Sequence, residues 1–301
     1  MKNSLIKLCR QKYISNQRLY KYNRKKITAN YYKEFTLLEG FNDFSYELGS
    51  VLDSYLSQPE KPCLQFALLR IHEKSIKIFR EAVILMENGS ASGAMARWRT
   101  LFEISIVAQI LNKYPELADK YVQYSKVDDY KYARKLLEYK KRLNLINYNL
   151  DAYPDIENEY KKVCKKYGWN GKINYEWARN DYIKNPNLFE LAKEVEQEHL
   201  YAYVDESNLY NHPSSRYLIN DRGRKPPNIK DKNNYLFSPF EMELPMQLIL
   251  ISLQKINLST IICYSELELT NNEQLIFYLK QNEEFVNIFL ELINKRINQK
   301  K

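Results

Sequence analysis

The sequence predicts an all-α protein, a compact multi-helix bundle with a long C-terminal helical hairpin. Three observations predict it. Glycine and proline are scarce, 7 and 10 among 301 residues, whereas sandwiches and doubly wound sheets need frequent turns. Apolar residues recur near helical spacing over long stretches free of either breaker, as in Leu68, Ile71, Ile76, Phe79, Val83 and Leu85. No strand, glycine-rich turn and helix follow one another, which argues against dinucleotide and P-loop recognition. At this length the chain buries a real core.

The breakers divide the chain into three parts: a basic N-terminal arm over 1–33, a helical core domain over 34–240 that carries the polar site, and a C-terminal helical hairpin over 241–301 packed on the core. In the core, 41–56 reads as a helix stopped by Ser57-Gln58-Pro59 and Pro62. A longer helix follows over 64–88, with Gly89 as its C-terminal cap and Ser90 as the next N-cap. Gly93 and Ala94 keep the next helix slim, and it runs to about Lys113. Helices are expected from Pro115 to Tyr124, over 128–144, over 151–171 and, unbroken, over 187–209. Residues 221–239, with Arg222, Gly223, Arg224, Pro226 and Pro227, read as an exposed loop. Pro245 suits the first turn of a helix through Leu267, and Asn271-Asn272-Glu273 starts the last one.

Charge is unevenly placed. The formal net charge is +9, yet the first 33 residues hold ten basic side chains and no acidic one. Removing those ten from the 46 Lys and Arg leaves 36 against 37 Asp and Glu, so the remaining body is at −1. The arm, with Lys25 and Lys26 among its cations and Tyr13, Tyr20, Tyr22, Tyr31 and Tyr32 interleaved, suits phosphates and stacked bases. A solvated helix packed on an acidic neighbour explains the same charges equally well. RNA is the partner expected of the first reading; a homo-oligomer or a protein partner stays open. Four dispersed cysteines, Cys9, Cys63, Cys164 and Cys263, form neither a zinc knuckle nor a disulfide framework, which fits a reducing cytoplasm. No window is expected to reach the roughly 18 apolar residues of a membrane span, so no membrane contact is expected. Three scattered histidines without ligand spacing argue against a metal centre, and no cofactor is expected.

The most informative residues are Arg99 and Glu103, a charged pair at a spacing of four inside a helix that is otherwise apolar. Burying such a pair costs more than it returns unless geometry and further hydrogen bonds compensate. A later polar element, Tyr203, Ser207, His212 and Ser214, is its expected partner. Tyr203 and Ser207 share a helix face, and Pro213 turns His212 out of the helix. His212 has a pKa suited to acid or base work, and Ser207 or Ser214 suits orienting it or binding an oxyanion. The catalytic candidates are therefore Arg99, Glu103, Ser207 and His212, with Tyr203, Ser214, Trp177, Lys25 and Lys26 as binding candidates. The same residues also fit a buried strut joining two helices.

Arg99-Thr-Leu-Phe-Glu103, the intervening Trp177 and Tyr203-x3-Ser207-x4-His212-Pro-Ser214 resemble a bacterial helical family, domain of unknown function 5677, over roughly 64–218. The resemblance implies a helical domain in which the Arg and Glu of one helix meet the Ser and His of another, and no established activity. More distantly, Ser207-x4-His212 is similar to the Arg-x4-6-His motif of HEPN-class helical nucleases, which include toxins and phage-defence effectors and cut RNA without metal. Ser207 stands where that motif has arginine, so Arg99 or Arg216 would have to supply the positive charge. Two functions follow: a defence or toxin-type effector with metal-independent ribonuclease-like chemistry, or a non-catalytic interaction or ligand-sensing module.

Overall fold

A computed structural model describes residues 2–55, 63–140, 142, 152–211, 242–265 and 272–299, leaving out the side chains of 2–5, 8, 209–211 and 272. Among them there are ten α-helices and no strand, an all-α bundle. They are α1 (Lys2–Asn30), α2 (Tyr32–Tyr55), α3 (Cys63–Glu87), α4 (Ala91–Lys113), α5 (Leu117–Tyr139), α6 (Tyr153–Tyr167), α7 (Leu188–Glu194), α8 (Tyr201–Asn211), α9 (Glu243–Ser265) and α10 (Asn272–Gln299).

The centre is a three-helix core. α3 and α4 form a hairpin around Gly89, whose φ of +82° supplies the left-handed turn that ends α3. Ser90 occupies the expected N-cap position, but its side chain makes no capping hydrogen bond. α9 lies across both, and the Trp98 indole donates to the Ser252 hydroxyl at 3.1 Å. α9 is the one helix among the described residues whose length and mean hydropathy, 1.4 over its best window, reach those of a membrane span. That departs from the sequence expectation. Two thirds of the window is buried inside the bundle, which is why α9 is apolar on every side.

α10 returns along α9 and covers α2, giving the expected hairpin. α1 runs into α2 with almost no break, since Tyr31 N–H donates to Ile27 and Phe35 N–H to Tyr31. The junction is braced from both ends of the hairpin. Arg296 of α10 donates to the buried Glu34 at 2.5 Å and to the Asn30 carbonyl at 2.6 Å, while the Tyr31 phenol donates to Glu243 of α9 at 3.1 Å. Farther along, Arg24 pairs with Glu87 at 2.6 Å, tying α1 to the end of α3.

Two stretches differ from expectation. One continuous α5 replaces the two helices expected across 115–144, because nothing between Tyr124 and Asp128 removes a backbone donor or demands a positive φ. Conversely, the helix expected over 187–209 is broken. α7 ends at Glu194, and Glu196 adopts a φ of +57°. The Glu194 carboxylate accepts from Lys113 and from the Tyr114 phenol, both at 2.6 Å, which holds the end of α7 against the end of α4. The chain then restarts as α8 against α4. The loop expected over 221–239 lies outside the described residues.

Candidate functional site

Local geometry places Arg99 and Glu103 one turn apart on the outer side of α4, with an N–O distance of 3.6 Å. About a third of each side chain is exposed. The pair is therefore half-buried, at the rim of the core, because the face of α4 beyond it is covered by a loop and by the start of α8 instead of a full helix. The loop residue is Tyr175, whose phenol donates to Glu103 Oε1 at 2.5 Å. Burial, and then the Glu103 carboxylate, push the Tyr175 pKa up, so the phenol keeps its proton and remains a donor. Tyr201 stands at the other side: its pKa is raised by burial and by Asp205, with Arg99 pulling the other way.

The loop that delivers Tyr175 is held by its neighbour. Glu176 is buried, and its carboxylate accepts from the backbone N–H groups of Asn170 at 3.2 Å and Gly171 at 3.0 Å. Backbone donors are an inexpensive way to bury a carboxylate. Trp177 is buried against Tyr121, ring centroids 4.9 Å apart, and the Tyr124 phenol donates to the Ile173 carbonyl at 2.5 Å. Residues 173–177 are thus pinned from three sides.

Glu103, Tyr175 and Trp177 line a cleft of about 730 Å³. α4 is its floor, α3 and α5 are its walls, and the 174–177 loop closes one side. This size falls within the range of about 300–1,000 Å³ usual for small-molecule sites. Glu103 still has free acceptor capacity, because a carboxylate offers about four lone-pair sites and Tyr175 takes one. Arg99 has a spare donor too: its Nε is buried without a hydrogen-bond partner.

The other sequence candidates are distributed differently. Tyr203 packs edge-on against Trp98 at 6.5 Å and belongs to the α4–α8 interface. Ser207 is fully buried, and its hydroxyl donates to the Val204 carbonyl at 2.7 Å, a bond within its own helix. Arg99 and Glu103 act electrostatically on Tyr201, in the first turn of α8, and α8 continues to Asn211, about 15 Å farther along the axis by helical rise. His212 and Ser214 lie outside the described residues. Lys25 and Lys26 are exposed on α1, which packs on α2 and α3. The sequence reading missed Tyr175, Tyr201, Tyr121 and Glu176; the Trp-Asn-Gly turn preceding Tyr175-Glu176-Trp177 was the one signal that a structured loop lay there.

The family of unknown function DUF5677 matches residues 65–228, slightly over half of the chain. The chain belongs to that family. The DUF5677 stretch spans α3 to α8 and so contains Arg99, Glu103, Tyr175, Trp177 and Ser207. It ends before α9, although α9 completes its core through Trp98 and Ser252. No curated protein and no solved structure matches the chain.

Proposed function

We propose that the DUF5677 region of this protein is a ligand-binding module, with Glu103 and Tyr175 at the wall of its cleft as binding residues. The observation that carries this reading is that Glu103 is oriented by Tyr175 at 2.5 Å yet keeps acceptor capacity on the side lining a 730 Å³ cleft. An oriented acceptor with spare lone pairs in a concave site of mixed polar and apolar lining is what recognition requires. Ser207 supports a non-catalytic role, since its hydroxyl is already bonded inside α8. The test is a thermal-shift screen of metabolites against the wild type and against Ile104→Trp, which fills the cleft from its floor. Compounds that stabilise the wild type and not the variant support the reading; a screen without such a compound overturns it.

A second reading, a nucleic-acid effector, is favoured by α1. From Lys2 to Asn30 it carries no acidic residue, and Tyr13, Tyr22, Lys25 and Lys26 are exposed on it. An acid-free helix with exposed rings suits a phosphate backbone. This reading expects metal-independent RNA cleavage that His212→Ala abolishes without lowering the melting temperature. Wild-type protein that leaves RNA intact sinks it.

A further inference from the structure

The cleft carries more information than its size, because its charges are segregated. Arg70 and Lys74 stand four residues apart on α3 and both line the same wall. Like charges at that spacing repel on a helix surface. Arg70 is partly compensated by Glu73 at 2.8 Å, whereas Lys74, which is exposed, makes no ion pair among the described residues. The opposite wall, on α5, carries Asp128, which Lys131 already faces at 4.0 Å. The α3 rim therefore favours an anion, and the floor, where Glu103 lies, favours hydrogen-bond donors.

Between these two poles the lining is apolar and aromatic. Ile104 and Val107 rise from α4, Val122 and Tyr121 face them from α5, and Trp177 backs Tyr121. Tyr121 is only partly buried, so part of its ring is open to the cleft. A ligand that meets all three demands is flat, carries N–H donors on one edge and ends in an anion.

The geometry points to a purine mononucleotide as the ligand of this cleft, with its phosphate on Arg70 and Lys74 and the donor edge of its base on the Glu103 carboxylate. The inference rests on the proposed binding role of Glu103 and Tyr175. Guanine fits better than adenine, since it presents two adjacent N–H donors to a carboxylate where adenine presents an exocyclic amine beside a ring acceptor. Base stacking against Tyr121 and charge pairing at the α3 rim supply the remaining selectivity over a bare phosphate. Tyr175 is a positioning residue here: its bond to Oε1 sets the plane of the carboxylate.

The test is calorimetric titration of the full chain with GMP, AMP, guanosine and inorganic phosphate, with intrinsic tryptophan fluorescence as a second readout. GMP is expected to bind more tightly than AMP, and guanosine and inorganic phosphate at least tenfold more weakly than GMP. Lys74→Glu, on an exposed side chain that the fold does not use, is expected to weaken GMP at least tenfold and to leave guanosine unchanged. Glu103→Gln is expected to erase the preference for GMP over AMP while retaining the dependence on Lys74. Absence of nucleotide binding, or binding indifferent to Lys74→Glu, overturns the inference. If a different metabolite binds the wild type but not Ile104→Trp while no nucleotide binds, the ligand class is wrong and the cleft reading stands. If nothing binds, both fall.

Discussion

Two polar regions of this bundle are built from similar groups and end in opposite states. At the Glu103 cleft, Arg99, Glu103 and Tyr175 sit at the rim of the core, with about a third of the charged pair exposed and acceptor capacity left over on the Glu103 carboxylate that lines the cleft. Among α2, α3, α9 and α10, a second cluster is sealed: Ser45, His72, Asn257 and Asn282 are all at or near zero exposure. There the His72 ring meets Asn257 Oδ1 at 3.0 Å, and Asn257 Nδ2 donates to Ser45 at 2.9 Å and to Asn282 at 3.0 Å. Asn282 in turn donates to the Gln254 carbonyl at 3.3 Å.

The Asn257 assignment makes Nε2 of His72 the protonated nitrogen and leaves Nδ1 as a buried acceptor without a partner. A Cβ at position 49 would come within 3.0 Å of that nitrogen, so Gly49 is what lets the ring fit. A network that spends its polar capacity internally, here all but one ring nitrogen, specifies which helices meet. One that keeps capacity at a cleft is equipped to meet something else. The contrast separates support from recognition without any appeal to residue type.

The largest effect expected from breaking this contrast is in the sealed cluster. Asn257→Leu keeps the branched shape but removes the amide that His72, Ser45 and Asn282 bond to, and at about 1–3 kcal/mol per buried group left short of a partner it is expected to cost about 4 kcal/mol in urea denaturation. Next comes pH. Burial holds the His72 pKa at about 4 instead of 6.5, because the charged ring is disfavoured there. As pH falls the unfolded chain takes up the proton first, so stability is unaffected by this group above 6.5. It is lost between about 6.5 and about 4, by about 3 kcal/mol in total. His72→Gln, neutral at every pH, is expected to remove that component of the acid dependence; an unchanged pH profile would show that other groups carry it.

Smaller effects are expected at the cleft. Tyr175→Phe removes the donor that orients Glu103, but water reaches the half-exposed carboxylate, so the loss in thermal or urea unfolding is expected near 1 kcal/mol. Glu103→Gln breaks a partly exposed ion pair and is expected to cost less than about 1 kcal/mol, while erasing the preference for GMP over AMP. A loss at Glu103 as large as that at Asn257 would erase the distinction between the two regions and make the pair a strut.

Much of the architecture was legible in the sequence. Residues 64–88 read as a helix and form Cys63–Glu87, and the turn at Gly89 falls where the breaker stands. Arg99 and Glu103 could be paired from their spacing alone, since positions four apart on a helix must be neighbours. The rest of the site was not legible. Tyr175 lies 72 residues beyond Glu103 and reaches it only because Glu176 and Trp177 pin the loop. Ser207 looked available by residue type; in the fold it is buried and its hydroxyl donates within its own helix, which spacing alone did not show. His72 stood isolated in the sequence; its ring meets Asn257 of α9, and Asn257 in turn links it to Ser45 of α2 and Asn282 of α10.

Spacing, breakers and charge in the chain were enough for the all-α class, the C-terminal hairpin, the acid-free N-terminal stretch and the adjacency of Arg99 with Glu103. Each is read along one segment and is a local property of the chain. Which polar groups are sealed and which face a cleft was settled by packing alone. That outcome depends on how α3, α4, α5 and α9 pack. Packing sums many weak contacts between residues far apart in the chain, and no single segment encodes it.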